Sequence, residues 1–448
     1  MSLRYVDPAR PAPLPLSPLG ATFVIEDSGL EIRRSLLPGG VRLVTENLPG
    51  ALSTSLGLWI AVGSRDEGPG EGGVSHFLEH LLFKGTSKRT AFDIGEAFDE
   101  VGAESNAATT KEYTYYWSHM VASDLPALLP VLTDMVADST ISDEDVEVER
   151  GVILDELAMS DDTPAEVVGE AFAKAVYGET DLGRPVGGTA QSVGEMSPEV
   201  IRDLYRRRYG PSELIVSAAG AVDHEELKDR LLDALSSTSW GDLLGEEREA
   251  KRRARHIGGN REEESFNRSV HLTRDIEQAH VVVGGQWLPA LDPRGPVSAV
   301  TLNLLGGGVS SRLFQEIREK RGLAYTTYAF ASTYSNTGHF GMYAGCAPKN
   351  MAEVEKVMWG ELEKLAEQGP TPQELARARG QMRGGVTLNL EDSGSRMSRL
   401  ARAEMVGEMV TVEDALARVD AVHAEDIKEM AAAMVAQDRS SAIVTSRG

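Results

Sequence analysis

The stretch GGVSHFLEHLLFKG, residues 72–85, sets His76, Glu79 and His80 close together in a chain that has nine histidines. On a helix, residues four apart share a face one turn up, so His76 and His80 can present two imidazole nitrogens to one cation. Glu79 flanks that face. It is too close in sequence to ligate comfortably beside both imidazoles, and well placed to hydrogen-bond a water on the cation. A catalytic zinc takes three protein ligands and keeps an open position, so a third ligand must come from elsewhere. The helical pattern that starts at Ser142, with its N-cap hydroxyl and acidic first turn, offers Glu149 and Glu156 seven residues apart on one face. Two turns separate them by roughly 10 Å, so only one reaches the ion and the other can orient a ligand. Spacing alone leaves the choice between the two open.

The elements that must position these residues follow from periodicity. LEIRRSLL, a PGG turn, VRLVTENL and the apolar run STSLGLWIAVGS read as sheet strands. Helical spacing takes over through 72–84 and 91–101, and returns at 123–137, 142–160 and 164–176 after the strand-like EYTYYWSHM. The Arg-rich helix SPEVIRDLYRRRYG, the strand ELIVSAAGAV and a helix from about residue 223 complete the first half. Strands and helices are clustered rather than strictly alternating, which predicts an α+β fold.

The second half repeats the first. GGVSHFLEH from Gly72 can be laid on GGVSSRLFQ from Gly307, and ISDEDVEVERG on PTPQELARARG. The interval is too long for a solenoid and predicts two homologous domains, each a mostly antiparallel sheet covered by helices on one face. In the second copy His76 becomes Ser311, His80 becomes Gln315 and Glu156 falls on Gly385, so all three candidate ligands vanish together. The expected boundaries are an extended arm at 1–24, a metal-binding domain at 25–243, a charged linker at 244–267 and a homologous domain without ligands at 268–448. LGGGVSS lacks the lysine of a phosphate loop and reads as a helix-entry loop.

Composition narrows the function. The chain has 448 residues and 41% hydrophobic content, enough for at least two cored domains. No window approaches the roughly 18 apolar residues of a membrane span, and the proline-rich start lacks the apolar core of a secretory signal. Cys346 is the one cysteine, which rules out an intrachain disulfide and a cysteine-built metal site and fits a reducing compartment, the cytoplasm. A net charge of -24 disfavours nucleic acid and anionic lipid, and is compatible with basic or neutral peptides. His119, His224, His256, His271, His280, His339 and His423 have no ligand-like spacing and read as ordinary residues.

His76-Phe77-Leu78-Glu79-His80, taken with Glu156 inside ERGVILDEL, resembles the inverted zinc-binding signature of the pitrilysin and mitochondrial processing peptidase family, the inverzincins. The resemblance covers essentially all of 25–448, including FKGT, ESNAAT and LGGGVSSRLFQEIREKRGLAY, and the length suits the short subunits that carry half the domains of longer relatives. It implies that Glu156 is the third zinc ligand, with one Zn2+ per chain, and that Glu149 supports a ligand from behind. It implies that Arg318 and Tyr325 in REKRGLAY assist at the substrate carbonyl. It implies that Asn106 and Ala107 lie on a sheet edge where a peptide adds as an extra strand. The expected function is then a zinc metalloendopeptidase with Glu79 as general base. Such subunits pair around a chamber, so a homodimer with Arg318 and Tyr325 acting in trans is expected. The alternatives are a non-catalytic scaffold subunit and a peptidase active only with a different partner chain.

Overall fold

The computed structural model describes residues 2–5, 11–245, 250–252 and 268–446, so most of the linker expected at 244–267 lies outside the described residues. Two compact units emerge. One comprises residues 1–157, 185–254 and 388–414, the other 158–184, 255–387 and 415–448.

The first unit is built on an eight-stranded sheet. Its strands run, in spatial order, Ser2–Tyr5, Thr22–Asp27, Leu30–Leu36, Arg42–Asn47, Leu214–Gly220, Ser53–Ile60, Thr114–Val121 and Glu104–Thr109. Neighbours are antiparallel except Ser2–Tyr5 with Thr22–Asp27 and Arg42–Asn47 with Leu214–Gly220. Glu104–Thr109 closes the order, so it is an edge strand. The short strand Ala12–Pro13 pairs antiparallel with Glu408–Met409. One face carries the large core. Helices Val74–Leu81, Leu125–Asp138, Pro198–Arg208 and His224–Ser236 bury Phe77, Leu78, Leu132, Leu204 and Leu231 there against Leu56, Leu58, Tyr116 and Val216.

The central strand Leu214–Gly220 is buried at every residue, because its sequence LIVSAAG has no polar alternation to leave one face wet. Its other face is covered by helix Ser393–Val406, whose Met397 and Ala401 pack on Trp59, Ile215 and Ala219. Charge fixes that helix as well. Arg396 pairs with Glu46 at 2.7 Å, Arg399 with Asp27 at 2.6 Å, and the fully buried Glu404 takes a forked pair of bonds from Arg34.

The second unit repeats the plan on a five-stranded sheet in the order Ser269–Thr273, Ser440–Thr445, Ala279–Trp287, Gly338–Cys346, Ala324–Thr333, parallel only at its first pairing. Helices Gly295–Gly306, Met351–Gln368 and Ala424–Val435 fill one face around Phe340, Met342 and Leu362. The opposite face receives helix Pro164–Tyr177, whose Val168, Phe172 and Val176 meet Val282, Tyr343 and Val444.

The α+β class with two related sheet-and-helix units is as expected. The units do not follow the contiguous ranges 25–243 and 268–448, however. Helix Pro164–Tyr177 belongs to the second unit and helix Ser393–Val406 to the first. Each unit covers the second face of its sheet with a helix from the other half of the sequence, by apolar contacts in both units and also by buried ion pairs in the first.

Candidate metal centre

Helix Val74–Leu81 explains the placement of its polar residues. Val74, Phe77, Leu78 and Leu81 recur at the spacing of one helical face and are all buried. The same spacing leaves His76, Glu79 and His80 together on the opposite side. Gly73 precedes the helix at φ +92, where a Cβ would stand 2.8 Å from the Gly187 carbonyl oxygen, so the entry requires glycine. Gly73 has no side chain to cap the first turn. Glu67 does so from upstream: its two oxygens accept from the Gly73 N–H at 3.1 Å and the Ser75 N–H at 2.9 Å. Tyr116 donates its hydroxyl to the Leu78 carbonyl at 3.2 Å and ties the helix to the sheet.

Helix Asp143–Asp161 begins as its sequence predicts, with the Ser142 hydroxyl accepting from the Asp145 N–H at 3.0 Å. Its buried positions are Val146, Glu149 and Ile153, so a carboxylate occupies the middle of an apolar stripe. Arg150 anchors the helix by donating to the Met196 carbonyl at 2.7 Å and to the carbonyl of Val193.

The two helices bring His76, His80 and Glu156 together. His76 Nε2 and His80 Nε2 are 3.2 Å apart, and Glu156 Oε2 lies 3.6 Å from the first and 3.4 Å from the second. A tetrahedral ion bonded at about 2.0–2.1 Å sets its ligand atoms about 3.3 Å apart, so the donor triangle fits one zinc ion. Among the described residues this is the one group of three such side chains with metal-holding geometry. The histidine side chains are largely covered, whereas that of Glu156 is 45% exposed, which opens the site to water on one side. Burial holds the His76 imidazole below its ordinary pKa, with the charges of Glu79 and Glu156 working against the shift.

Glu149 is the carboxylate that does not join the triangle. Its Oε2 accepts from His80 Nδ1 at 2.9 Å, which turns His80 Nε2 toward the other two donors. His76 has no such link. Its Nδ1 is buried without a hydrogen-bond partner among the described residues, and Gly187 packs so closely that a Cβ there would lie 3.4 Å away. Glu79 forms no hydrogen bond or ion pair among the described residues, so its carboxylate is available to move a proton.

Asn106 and Ala107 lie on the edge strand Glu104–Thr109. Ala107 is buried in the core that holds the His76 helix, while Asn106 is exposed and its Oδ1 accepts from the Ala107 N–H at 2.8 Å. Arg318 and Tyr325 belong to the second unit and meet each other. The Arg318 guanidinium lies 4.2 Å over the Tyr325 ring and 4.8 Å over Phe314, and it donates to the Tyr325 carbonyl at 3.1 Å. Arg318 sits in a π-helical turn, Phe314–Glu319, and Tyr325 is 71% exposed. Sequence reasoning did not find Glu67 or Lys84, whose Nζ lies 2.5 Å from Glu149 Oε1. The signal for Glu67 was an acidic residue just upstream of a glycine-only helix entry.

Residues 42–190 match the family model described as Insulinase (Peptidase family M16), and residues 195–382 match the Peptidase M16 inactive domain. An uncharacterized zinc protease of Streptomyces coelicolor is 43% identical over 92% of this chain and 89% of its own length. The chain belongs to peptidase family M16. The zinc protease YmxG of Bacillus subtilis, also described as uncharacterized, is 33% identical over 93% of this chain and 99% of its own. Two solved structures share the M16 fold over more than nine-tenths of this chain. A protease from Helicobacter pylori superposes with TM-score 0.82 at 20% identity, covering 92% of this chain and 98% of its own. A peptidase M16 inactive domain from Pseudomonas fluorescens does so with TM-score 0.79 at 16% identity, covering 93% and 98%.

Proposed function

We propose that this M16 chain is a zinc-dependent endopeptidase acting on peptides or unfolded segments held in extended form. The observation that carries the reading is the triangle of His76 Nε2, His80 Nε2 and Glu156 Oε2, sized for one tetrahedral ion, with Glu79, unpartnered among the described residues, on the same short helix as the histidines. The relatives' naming as zinc proteases supports the same reaction class.

His76, His80 and Glu156 would hold one Zn2+ per chain, and Glu149 would keep the His80 ring aligned. A zinc ion bound there supplies a Lewis acid that makes a water nucleophilic near neutral pH and polarises the scissile carbonyl. Glu79 accepts the proton of the attacking water and delivers it to the leaving amine. The edge strand Glu104–Thr109, with Asn106 and Ala107, takes the peptide as an added strand through main-chain hydrogen bonds. Arg318 and Tyr325 donate to the substrate carbonyl oxygen as charge develops on it, and they come from a second copy of the chain in a homodimer. The lone Cys346 suits work in the reducing cytoplasm. No helix among the described residues is long and apolar enough to cross a membrane.

The test is metal analysis of the purified chain beside cleavage of a mixed peptide library, with and without chelator. Glu79→Gln is expected to retain its zinc and lose turnover by about a hundredfold or more. Turnover that survives the substitution removes Glu79 as the base, and a wild-type chain without zinc removes the ion.

A further inference from the structure

The helix that carries both histidines does not stop at a cap. After Leu81 the chain tightens into a turn, the Phe83 N–H bonding to the His80 carbonyl and the Lys84 N–H to that of Leu81, each at 3.1 Å. Gly85 follows at φ +143 and turns the chain away. Lys84 is thus set one turn beyond His80 and facing helix Asp143–Asp161. Its Nζ stands 2.5 Å from Glu149 Oε1, an ion pair by distance that lacks hydrogen-bond alignment, while Glu149 Oε2 accepts from His80 Nδ1 at 2.9 Å. The Glu149 side chain is 2% exposed and that of Lys84 33%. Arg150, next in sequence, is committed to Glu147 and to the carbonyls of Val193 and Met196. Among the described residues, Lys84 supplies the one permanent positive charge paired with the buried Glu149 carboxylate.

We propose that Lys84 is a positioning residue of the metal centre: its ammonium pins one oxygen of Glu149 so that the other stays on His80 Nδ1 and aims His80 Nε2 at the ion. The inference rests on the reading that His76, His80 and Glu156 hold zinc. The asymmetry of the two histidines makes this chain of contacts matter. Among the described residues His76 Nδ1 has no hydrogen-bond partner, whereas the His80 ring is held by Glu149. The second repeat provides an internal comparison. There Ala378 stands where Glu149 stands and Glu319 where Lys84 stands, so the repeat keeps neither partner of the pair. Arg379 stands where Arg150 does and still donates to a backbone carbonyl, that of Val422. The contact that secures the helix persists in the repeat without ligands, and the Lys–Glu contact does not.

The experiment uses the full chain, stripped with chelator and titrated with Zn2+ against a competing chelator, and separately loaded with Co2+ for its visible spectrum. Losing a partner directly bonded to a metal ligand weakens binding by about 10- to 100-fold, so Lys84→Met, one link further out, is expected to weaken zinc by about tenfold. It should also alter the Co2+ absorption bands. Lys84→Arg, which restores the charge, is expected to return affinity to within about twofold of wild type. Should Lys84→Met not fold, Lys84→Gln serves in its place with the same expectation. A substituted chain that binds Zn2+ like wild type, with an unchanged Co2+ spectrum, overturns the role of Lys84 while leaving the metal reading intact. A wild-type chain that takes up no zinc overturns both.

Discussion

Glu149 stands where helix Asp143–Asp161 otherwise buries Val146 and Ile153, and that misplacement is the most informative single residue in the molecule. A buried carboxylate is a liability for folding unless paired; here Oε2 accepts from His80 Nδ1 and Oε1 has the Lys84 ammonium beside it as an ion pair. Glu149→Leu is therefore expected to part binding from stability. Zinc affinity should fall by about 10- to 100-fold, read by chelator competition, because His80 loses its acceptor. The melting temperature of the zinc-free chain should hold or rise, since Leu fills a similar volume in an apolar stripe and Lys84 is exposed enough to turn to water. A parallel loss of both would show that Glu149 serves the fold. At this scale the sequence carried much of the site. The spacing of His76 and His80 fixes a shared face, and Glu149 and Glu156 lie on one stripe with room for only one at the ion. Glu67 and Lys84 were not legible from spacing, because each acts on a partner that the fold alone brings near.

Among elements, strands and helices were legible where periodicity is strong, and ELIVSAAGAV read as a strand. Which helix covers which sheet was not. Val168, Phe172 and Val176 form an apolar stripe that names no partner, and sequence proximity assigned them to the wrong unit. His224 shows how elements are joined inside the first unit. At the start of helix His224–Ser236 it places Nε2 2.8 Å from the Ser35 hydroxyl and Nδ1 2.9 Å from that of Thr45, linking the helix to two neighbouring strands. Burial pushes its pKa down to about 4; Glu225 and Asp223 work against the shift, and Lys228 and Arg33 add to it. The sign follows. A histidine depressed in the folded state is neutral in both states above its ordinary value near 6.5, so it costs nothing there. Between 6.5 and about 4 the unfolded chain takes up a proton that the folded chain refuses, and stability falls as pH falls. Full depression is worth up to about 3 kcal/mol. His224→Gln keeps a donor and an acceptor and has nothing to titrate. Its urea midpoint should drop less than that of wild type between pH 7 and pH 4, and equal drops would discharge His224 from the acid sensitivity.

For the whole molecule, the two related units carry different sets of polar residues. The first unit holds the triangle of His76, His80 and Glu156 with Glu79; the second has Ser311, Gln315 and Gly385 at the aligned positions and carries the Arg318 and Tyr325 stack on its π-helical turn. In the proposed homodimer the two halves of a working site come from different copies, and this has a numerical consequence. Glu79→Gln removes the general base from the metal half of a site and Tyr325→Phe weakens the other half, so each pure variant is expected to be impaired at every site. After subunit exchange at equal concentrations about half of the dimers are mixed. In a mixed dimer one site collects both lesions and the other collects neither, so total activity should recover to about a quarter of wild type. Sites completed within a single copy give no such recovery, because every site then keeps one lesion whatever the pairing. Peptide cleavage measured against time after mixing, with sedimentation confirming that exchange has occurred, distinguishes the two arrangements. Activity that stays at the mean of the two variants once mixed dimers are present would remove the trans assignment and leave the metal centre untouched.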